Sequence, residues 1–233
     1  MYSYHYNNLY FIVILCFFVS LIVQYLLNSK MKKYAQTNLS SGKSGAEVAR
    51  EILNDYFIDD VRIIEVDGFL SDHYNPLTKT LNLSSDVYHG RNVGAVAVAA
   101  HECGHAIQHN RGYFFLHLRS LMVPMASFSY RFLNIFLIIG VLMLDVNLLP
   151  LEVGVSLFAI TTIFTIITLP VEFNASSRAI KWIEENKIVD GDELKCAKGA
   201  LKLAAMTYLL AAISSLAELL RLIGLVNSRR RDD

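Results

Sequence analysis

The chain has 233 residues, 54% of them apolar, with 21 basic and 21 acidic side chains and a formal net charge of zero. That length holds one ordinary domain, or a small domain with several membrane spans. The apolar residues come in blocks rather than at core periodicity, which favours the second arrangement. Zero net charge and the lack of a basic, aromatic-interleaved groove argue against a nucleic-acid partner. Three widely spaced cysteines, Cys16, Cys103 and Cys196, argue against a disulfide framework and for a reducing, cytoplasm-facing location.

Leu9 to Leu27 carries no charge and matches the roughly 20 residues of a membrane span. No basic residue precedes it and no small-x-small site follows, so it reads as an uncleaved anchor. A Ser/Gly linker leads into a predicted helix over AEVAREILNDYFI, where Ala46, Ala49, Ile52, Leu53, Tyr56 and Phe57 recur at helical spacing. Val61 to Val66 reads as a strand, DGFLSDHYNP as a loop closed by Pro76, and Lys79 to Ser84 as a second strand. Val93 to His109 is an alanine-rich helix. Phe132 to Leu149 and Val153 to Leu169 form a transmembrane hairpin around a turn without Lys or Arg. Leu203 to Val226 is long enough to span, but Glu218 and Arg221 interrupt it, so a span and a helix on the inner surface both remain open.

Lysines and arginines set the orientation. Lys30, Lys32 and Lys33 follow the first span, Arg111, Arg119 and Arg131 precede the hairpin, and Arg178, Lys181 and Lys187 follow it. The N-terminus is therefore expected outside, and the segments on either side of the hairpin inside. The expected organisation is an anchor over 1–27, a cytoplasmic domain over 28–130 and a hairpin over 131–170. A helix over 171–200 and an apolar helix over 201–233 complete it. The fold class is a mainly α membrane protein: a small α+β, zincin-like metallopeptidase domain with three or four transmembrane helices.

The chemistry lies in AVAVAAHECGHAIQH. His101 and His105 are four residues apart, so both imidazoles leave one helix face a turn apart and can meet one zinc ion. Glu102 lies beside the metal position, where it can take a proton from zinc-activated water and pass it to the leaving amine. Cys103 points away from the pair, into the core. A histidine pair hydrogen-bonded within a core is the bland reading. It leaves unexplained why three polar side chains interrupt an uncharged helix.

Zinc needs a third protein ligand. His109 continues the stripe, but eight helical residues advance about 12 Å, too far to share the ion. The metzincin pattern fails at Gln108 and Arg111. Glu152 lies at the outer end of the third span, about 30 Å of helix from Glu172, and Glu184 and Glu185 lie on a charged face. Glu172 re-enters on the side of His101 and is the expected ligand, with Pro170 suited to the first turn of a new helix.

The segments AAHECGHAIQH, FLSDHYNP and LPVEFNASSRA, in this order around a hairpin, resemble the YugP-like putative neutral zinc metallopeptidases, small bacterial membrane proteins. The resemblance covers nearly the whole chain. It implies one zinc per chain at His101, His105 and Glu172 with Glu102 as base. The chain is more distantly similar to the HtpX and CAAX-prenyl-protease group, whose third ligand belongs to a Glu-x-x-x-Asp pattern. Ser176 stands here at that Asp position.

Further candidates surround the motif. Thr80, Leu81, Asn82 and Leu83 are candidates for an edge strand that holds substrate backbone. Asp72 could orient a ligand histidine, and His73 or Tyr74 could stabilise an oxyanion. Arg178 could pair with a carboxylate near the metal. The expected function is zinc-dependent endopeptidase action on peptides or proteins, membrane proteins included, at the cytoplasmic face of the cell membrane. The alternatives are a non-peptidase zinc hydrolase, such as an amidase or a deformylase-like enzyme with Cys196 as ligand, and a zinc-retaining membrane scaffold.

Overall fold

The computed structural model describes the backbone of residues 2–68 and 71–232 and the side chains of residues 10–68 and 71–230; Phe69 and Leu70 of the predicted loop lie outside the described residues. The elements in chain order are α1 (Tyr2–Ala35), α2 (Gly45–Asp55), β1 (Arg62–Val66), β2 (His73–Asn75) and β3 (Thr80–Ser84). There follow α3 (Ser85–Tyr88), α4 (Val93–Asn110), α5 (Phe114–Leu142), α6 (Leu149–Glu185) and α7 (Gly191–Asp232). Four helices, α1, α5, α6 and α7, are long and apolar enough to cross a membrane. The chain is a mainly α membrane protein with one small sheet.

Two compact units share the chain. A helical unit comprises residues 1–22, 118–169 and 207–233, and an α+β unit comprises residues 23–117 and 170–206. The α+β unit therefore ends its first segment at 117, where the sequence suggested 130. It also recruits the end of α6 and the start of α7.

In the α+β unit, Ser44 starts α2 with a capping box: its hydroxyl accepts from Glu47 N (3.2 Å) while Ser44 N donates to Glu47 Oε2 (2.7 Å). The sheet order is β1-β3-β2, with β1 parallel and β2 antiparallel to β3. Every residue of β3 is buried. The expectation of a substrate-binding edge over Thr80–Leu83 is thus corrected: β3 is the central strand, because β2, hidden in the predicted loop, covers its second side. The core gathers Ile52 from α2, Leu81 and Leu83 from β3, Val96, Cys103 and Ile107 from α4, and Trp182 and Ile183 from α6. Each large aliphatic side chain buried there contributes about 1.5–3 kcal/mol. Cys103 is fully buried, as expected for a side chain pointing away from the histidines.

Pro170 does not open a new helix. It lies inside the 37-residue α6, which continues without a break from its apolar stretch to Glu185. A proline here removes one helix donor and normally costs about 3 kcal/mol. The continuous helix nevertheless carries Glu172 and Ser176 onward into the α+β unit.

In the helical unit, Gly140 and Gly154 let α5 and α6 approach closely: a Cβ on Gly140 would stand 2.5 Å from Leu151 Cα, and one on Gly154 3.1 Å from Leu137 N. At the far end of α7, Arg229 pairs with Asp145 (3.1 Å) and Arg230 with Glu152 (2.6 Å). The end of α7 therefore lies beside the turn between α5 and α6. Within α7, Arg221 closes a bidentate pair on Glu218 (2.6 and 2.8 Å), and its guanidinium lies 5.0 Å from the Tyr10 ring centroid. Paired in this way, the two charges are far cheaper to hold in an apolar segment.

Candidate metal centre

The Asn92 side chain caps α4 by accepting from Ala95 N at 2.9 Å. Two turns later the helix presents His101, Glu102 and His105 with their ligand atoms within 4.8 Å of one another. The two imidazoles stand nearly perpendicular, ring centroids 4.9 Å apart. α6 crosses α4 here at very short range, which Gly104 permits: a Cβ at 104 would lie 2.6 Å from Ala175 O and 2.9 Å from Ala175 Cα. The close crossing brings in Glu172, whose Oε2 is 3.2 Å from His101 Nε2 and 3.7 Å from His105 Nε2.

This donor set fits zinc. Ligands at about 2.0–2.1 Å around a tetrahedral ion stand roughly 3.3 Å from one another, and the two measured separations bracket that value. Two imidazole nitrogens and one carboxylate oxygen are also a familiar catalytic zinc set, with a fourth position left open.

The remaining ring nitrogens are held from behind. His101 Nδ1 meets Ser176 Oγ at 3.1 Å, and His105 Nδ1 meets Gln108 Oε1 at 3.1 Å. Gln108 has no exposed surface, and its Nε2 donates to Val171 O (2.8 Å) and Asn174 Oδ1 (3.0 Å). Asn174 Oδ1 also accepts from Arg178 Nε at 2.7 Å. Arginine can only donate, so this chain of contacts fixes both amide orientations. Gln108 must then accept from His105 Nδ1–H, which leaves the Nε2 lone pair facing Glu172 and the metal position. Gln108, Asn174 and Ser176 were not picked out as contributors by the sequence. The available signal was a glutamine one turn beyond a candidate ligand histidine.

Glu102 is buried, and its Oε2 accepts from Tyr74 N at 3.0 Å. β2 is an edge strand, and its Tyr74 N–H, engaged by Glu102, brings that strand next to the candidate base. The other loop candidates sit elsewhere than expected. Asp72 is bound to Ser84, through N (2.7 Å) and Oγ (3.1 Å), and to neither histidine. Burial raises the Asp72 pKa, opposed by the Ser84 hydrogen bonds and helped by the nearby Glu102 charge. His73 contacts Ser71 O and the Asn82 amide through its two ring nitrogens. The Tyr74 hydroxyl meets His109 Nδ1 at 2.8 Å, one turn beyond His105. Burial, with Asp60 nearby, pushes the Tyr74 hydroxyl up to about 12. Burial also lowers His109, so the phenol is the donor to a neutral ring. Arg178 binds the Asn174 amide oxygen and not a carboxylate, which corrects the pairing expected for it.

Among known proteins, the chain is 40% identical over 213 residues to the "Putative membrane protease YugP" of Bacillus subtilis (strain 168), covering 91% of this chain and 94% of that protein. No solved structure matches it. The profile of the family described as "Putative neutral zinc metallopeptidase" matches residues 9–227, which takes in the whole α4–α6 site, and the chain belongs to that family.

Proposed function

We propose that the protein is a membrane-bound, zinc-dependent endopeptidase in which His101, His105 and Glu172 hold one zinc ion and Glu102 is the catalytic base. The observation that carries this reading is the convergence of His101 Nε2 and His105 Nε2 on Glu172 Oε2 at 3.2 and 3.7 Å. Zinc, when bound, supplies Lewis acidity, which favours loss of a proton from water and polarises a carbonyl.

The chain's own groups do the rest. The Tyr74 N–H fixes one oxygen of Glu102, leaving its carboxylate oriented to take a proton from the attacking water and return it to the leaving amine. β2, the edge strand beside Glu102, takes the role first assigned to Thr80–Leu83: extended substrate lies along it and is held by backbone groups other than the Tyr74 N–H, which Glu102 engages. The lysines and arginines flanking the first three spans support a cytoplasmic site, against Arg229 and Arg230 at the hairpin turn, and therefore peptide or protein substrates presented at the inner membrane face, membrane proteins among them.

A deformylase-like reading needs a cysteine ligand. Cys196 is half-buried on α7 and is not in the His101–Glu102–His105 cluster, and the proposed triad already contains a carboxylate. A zinc-holding scaffold has no use for an oriented carboxylate next to the ion.

The test is zinc analysis and cleavage of a denatured protein by the purified chain in detergent. Wild type should hold one zinc. Glu102→Gln should keep the metal and lose cleavage, and Glu172→Ala should lose most of the metal. Undiminished cleavage by Glu102→Gln refutes the assignment of the base, and full zinc occupancy in Glu172→Ala refutes the ligand set.

A further inference from the structure

The α+β unit holds a cavity of about 930 Å³ that the mechanism above does not use. It is mainly apolar and lies near the upper end of the roughly 300–1,000 Å³ usual for ligand pockets. Leu27, the last residue of the uncharged stretch of α1, and Met31 just beyond it form one wall, and Leu201 and Ala204 of α7 form another. Its floor is the first half of α4, including Gly94 and Val98.

Two connections tie this cavity to the metal centre. Gly94, Val98, His101 and His105 are spaced i, i+4, i+7 and i+11 on one helix, so they form a single stripe. Val98 lies about 4.5 Å of helical rise before His101, and it is half-buried while its neighbours on other faces are buried. The second connection is Asp72, which lines the cavity and directly precedes β2, whose Tyr74 N–H meets Glu102. A peptide lying along β2 with its scissile bond at Glu102 therefore runs, at one end, into the cavity.

We infer that this cavity is the subsite for large apolar side chains on one side of the scissile bond, so that the enzyme selects cleavage sites in apolar sequence such as the ends of membrane spans. The inference rests on the peptidase reading. The apolar surface that Leu27 and Met31 of α1, Val98 of α4 and Leu201 and Ala204 of α7 bring together suits leucine, isoleucine, phenylalanine or methionine, while Lys32, Asp72, Asp86 and His89 make up the polar side of the cavity.

The experiment is cleavage-site profiling of a randomised peptide library by the full-length chain in detergent micelles, for wild type, Val98→Phe and Ala204→Phe, with zinc content measured for each. Wild type should prefer large apolar residues over alanine at one position next to the cut. Both substitutions narrow the cavity, from different helices, and should lower the leucine-to-alanine ratio of kcat/KM there by about tenfold or more at wild-type zinc content. If Val98→Phe does not fold, Ala204→Phe and the milder Ala204→Val carry the comparison. Cleavage with the same profile in wild type and variants overturns the subsite and leaves the peptidase reading standing. The same profile, accompanied by loss of a co-purifying phospholipid from the variants, overturns it in favour of a lipid site. A zinc-loaded wild type that cuts no peptide overturns the peptidase reading, and the subsite falls with it.

Discussion

Gln108→Leu removes the link between His105 and the chain of amides behind it while keeping similar volume in a fully buried position. The native side chain makes three hydrogen bonds, to His105 Nδ1 at 3.1 Å, Val171 O at 2.8 Å and Asn174 Oδ1 at 3.0 Å. Leucine leaves Asn174 with Arg178, but it strands the His105 Nδ1–H, a buried donor whose loss of partner costs about 1–3 kcal/mol. The cheapest relief is to move the proton to Nε2 or turn the ring, and either withdraws the lone pair from the metal position. Loss of such a supporting contact typically lowers metal affinity by about 10–100-fold, or about 1.4–2.7 kcal/mol. The assay is zinc competition against a chelator of known affinity, in detergent, alongside thermal unfolding. Gln108→Glu is the informative partner. It keeps an acceptor for His105 but turns an acceptor towards Val171 O and Asn174 Oδ1, so it should lose stability more than zinc affinity. A leucine variant within about twofold of wild-type affinity, at unchanged Tm, would refute the argument that Gln108 sets the His105 tautomer.

Gly104→Ala should lower both Tm and zinc content although every ligand is present, because its Cβ would meet Ala175 backbone at 2.6 Å and force α6 away from α4. Overpacking of this kind costs about 1–3 kcal/mol, and wild-type zinc content at wild-type Tm would contradict it. Burial lowers the His105 pKa, but Glu172, Glu102 and Gln108 more than offset it, so without metal it lies above the ordinary value. A proton then competes with zinc: affinity should weaken as pH falls, from above roughly 6.5, and a zinc titration over a pH series that stays flat there excludes this. The metal-free chain has the opposite sign, its stability from this group being full below roughly 6.5 and lost as pH rises through the raised folded value. Tyr74→Phe removes only the hydroxyl bond to His109 and should cost about 0.5–1.5 kcal/mol of stability with cleavage largely kept. Tyr74→Pro, tolerable on an edge strand, removes the N–H that orients Glu102 and should lower kcat by an order of magnitude or more; equal kcat in the two variants would remove that role.

What was legible in the sequence was mostly local. The anchor, the hairpin and α4 declare themselves through uninterrupted apolar runs and helical spacing, and His101, Glu102 and His105 follow from the geometry of one helix. The placement of Glu172 beside the two histidines needed one non-local step, an expectation about where a span ends. β2 was hidden because three residues, His73 to Asn75, are too short to show alternation; only their pairing with Asn82, Leu81 and Thr80 makes them a strand. That omission turned the central strand into an apparent edge. Pro170 misled in a similar way, since a local preference for a helix start yielded to packing that keeps α6 continuous. The crossing of Gly104 over Ala175 joins residues 71 apart in sequence, and nothing in either segment alone announces it.

The serine at 176 has an electrostatic consequence in the site itself. Glu102 and Glu172 are both buried, and Asp72, held up by burial and by the Glu102 charge, stands close by. An aspartate at 176 would add a further carboxylate to this crowded interior, where each uncompensated charge carries a desolvation cost of several kcal/mol. A serine hydroxyl and a glutamine amide orient the two imidazoles without adding charge. The neutral groups have a drawback, because an amide can turn over and present the wrong end to a histidine. Arg178 removes that ambiguity from the far end of the chain, since a guanidinium accepts no hydrogen bond and Asn174 must turn its oxygen towards it. In this site a cation well behind the ligands orients His105, a task that a carboxylate next to the imidazole would otherwise perform.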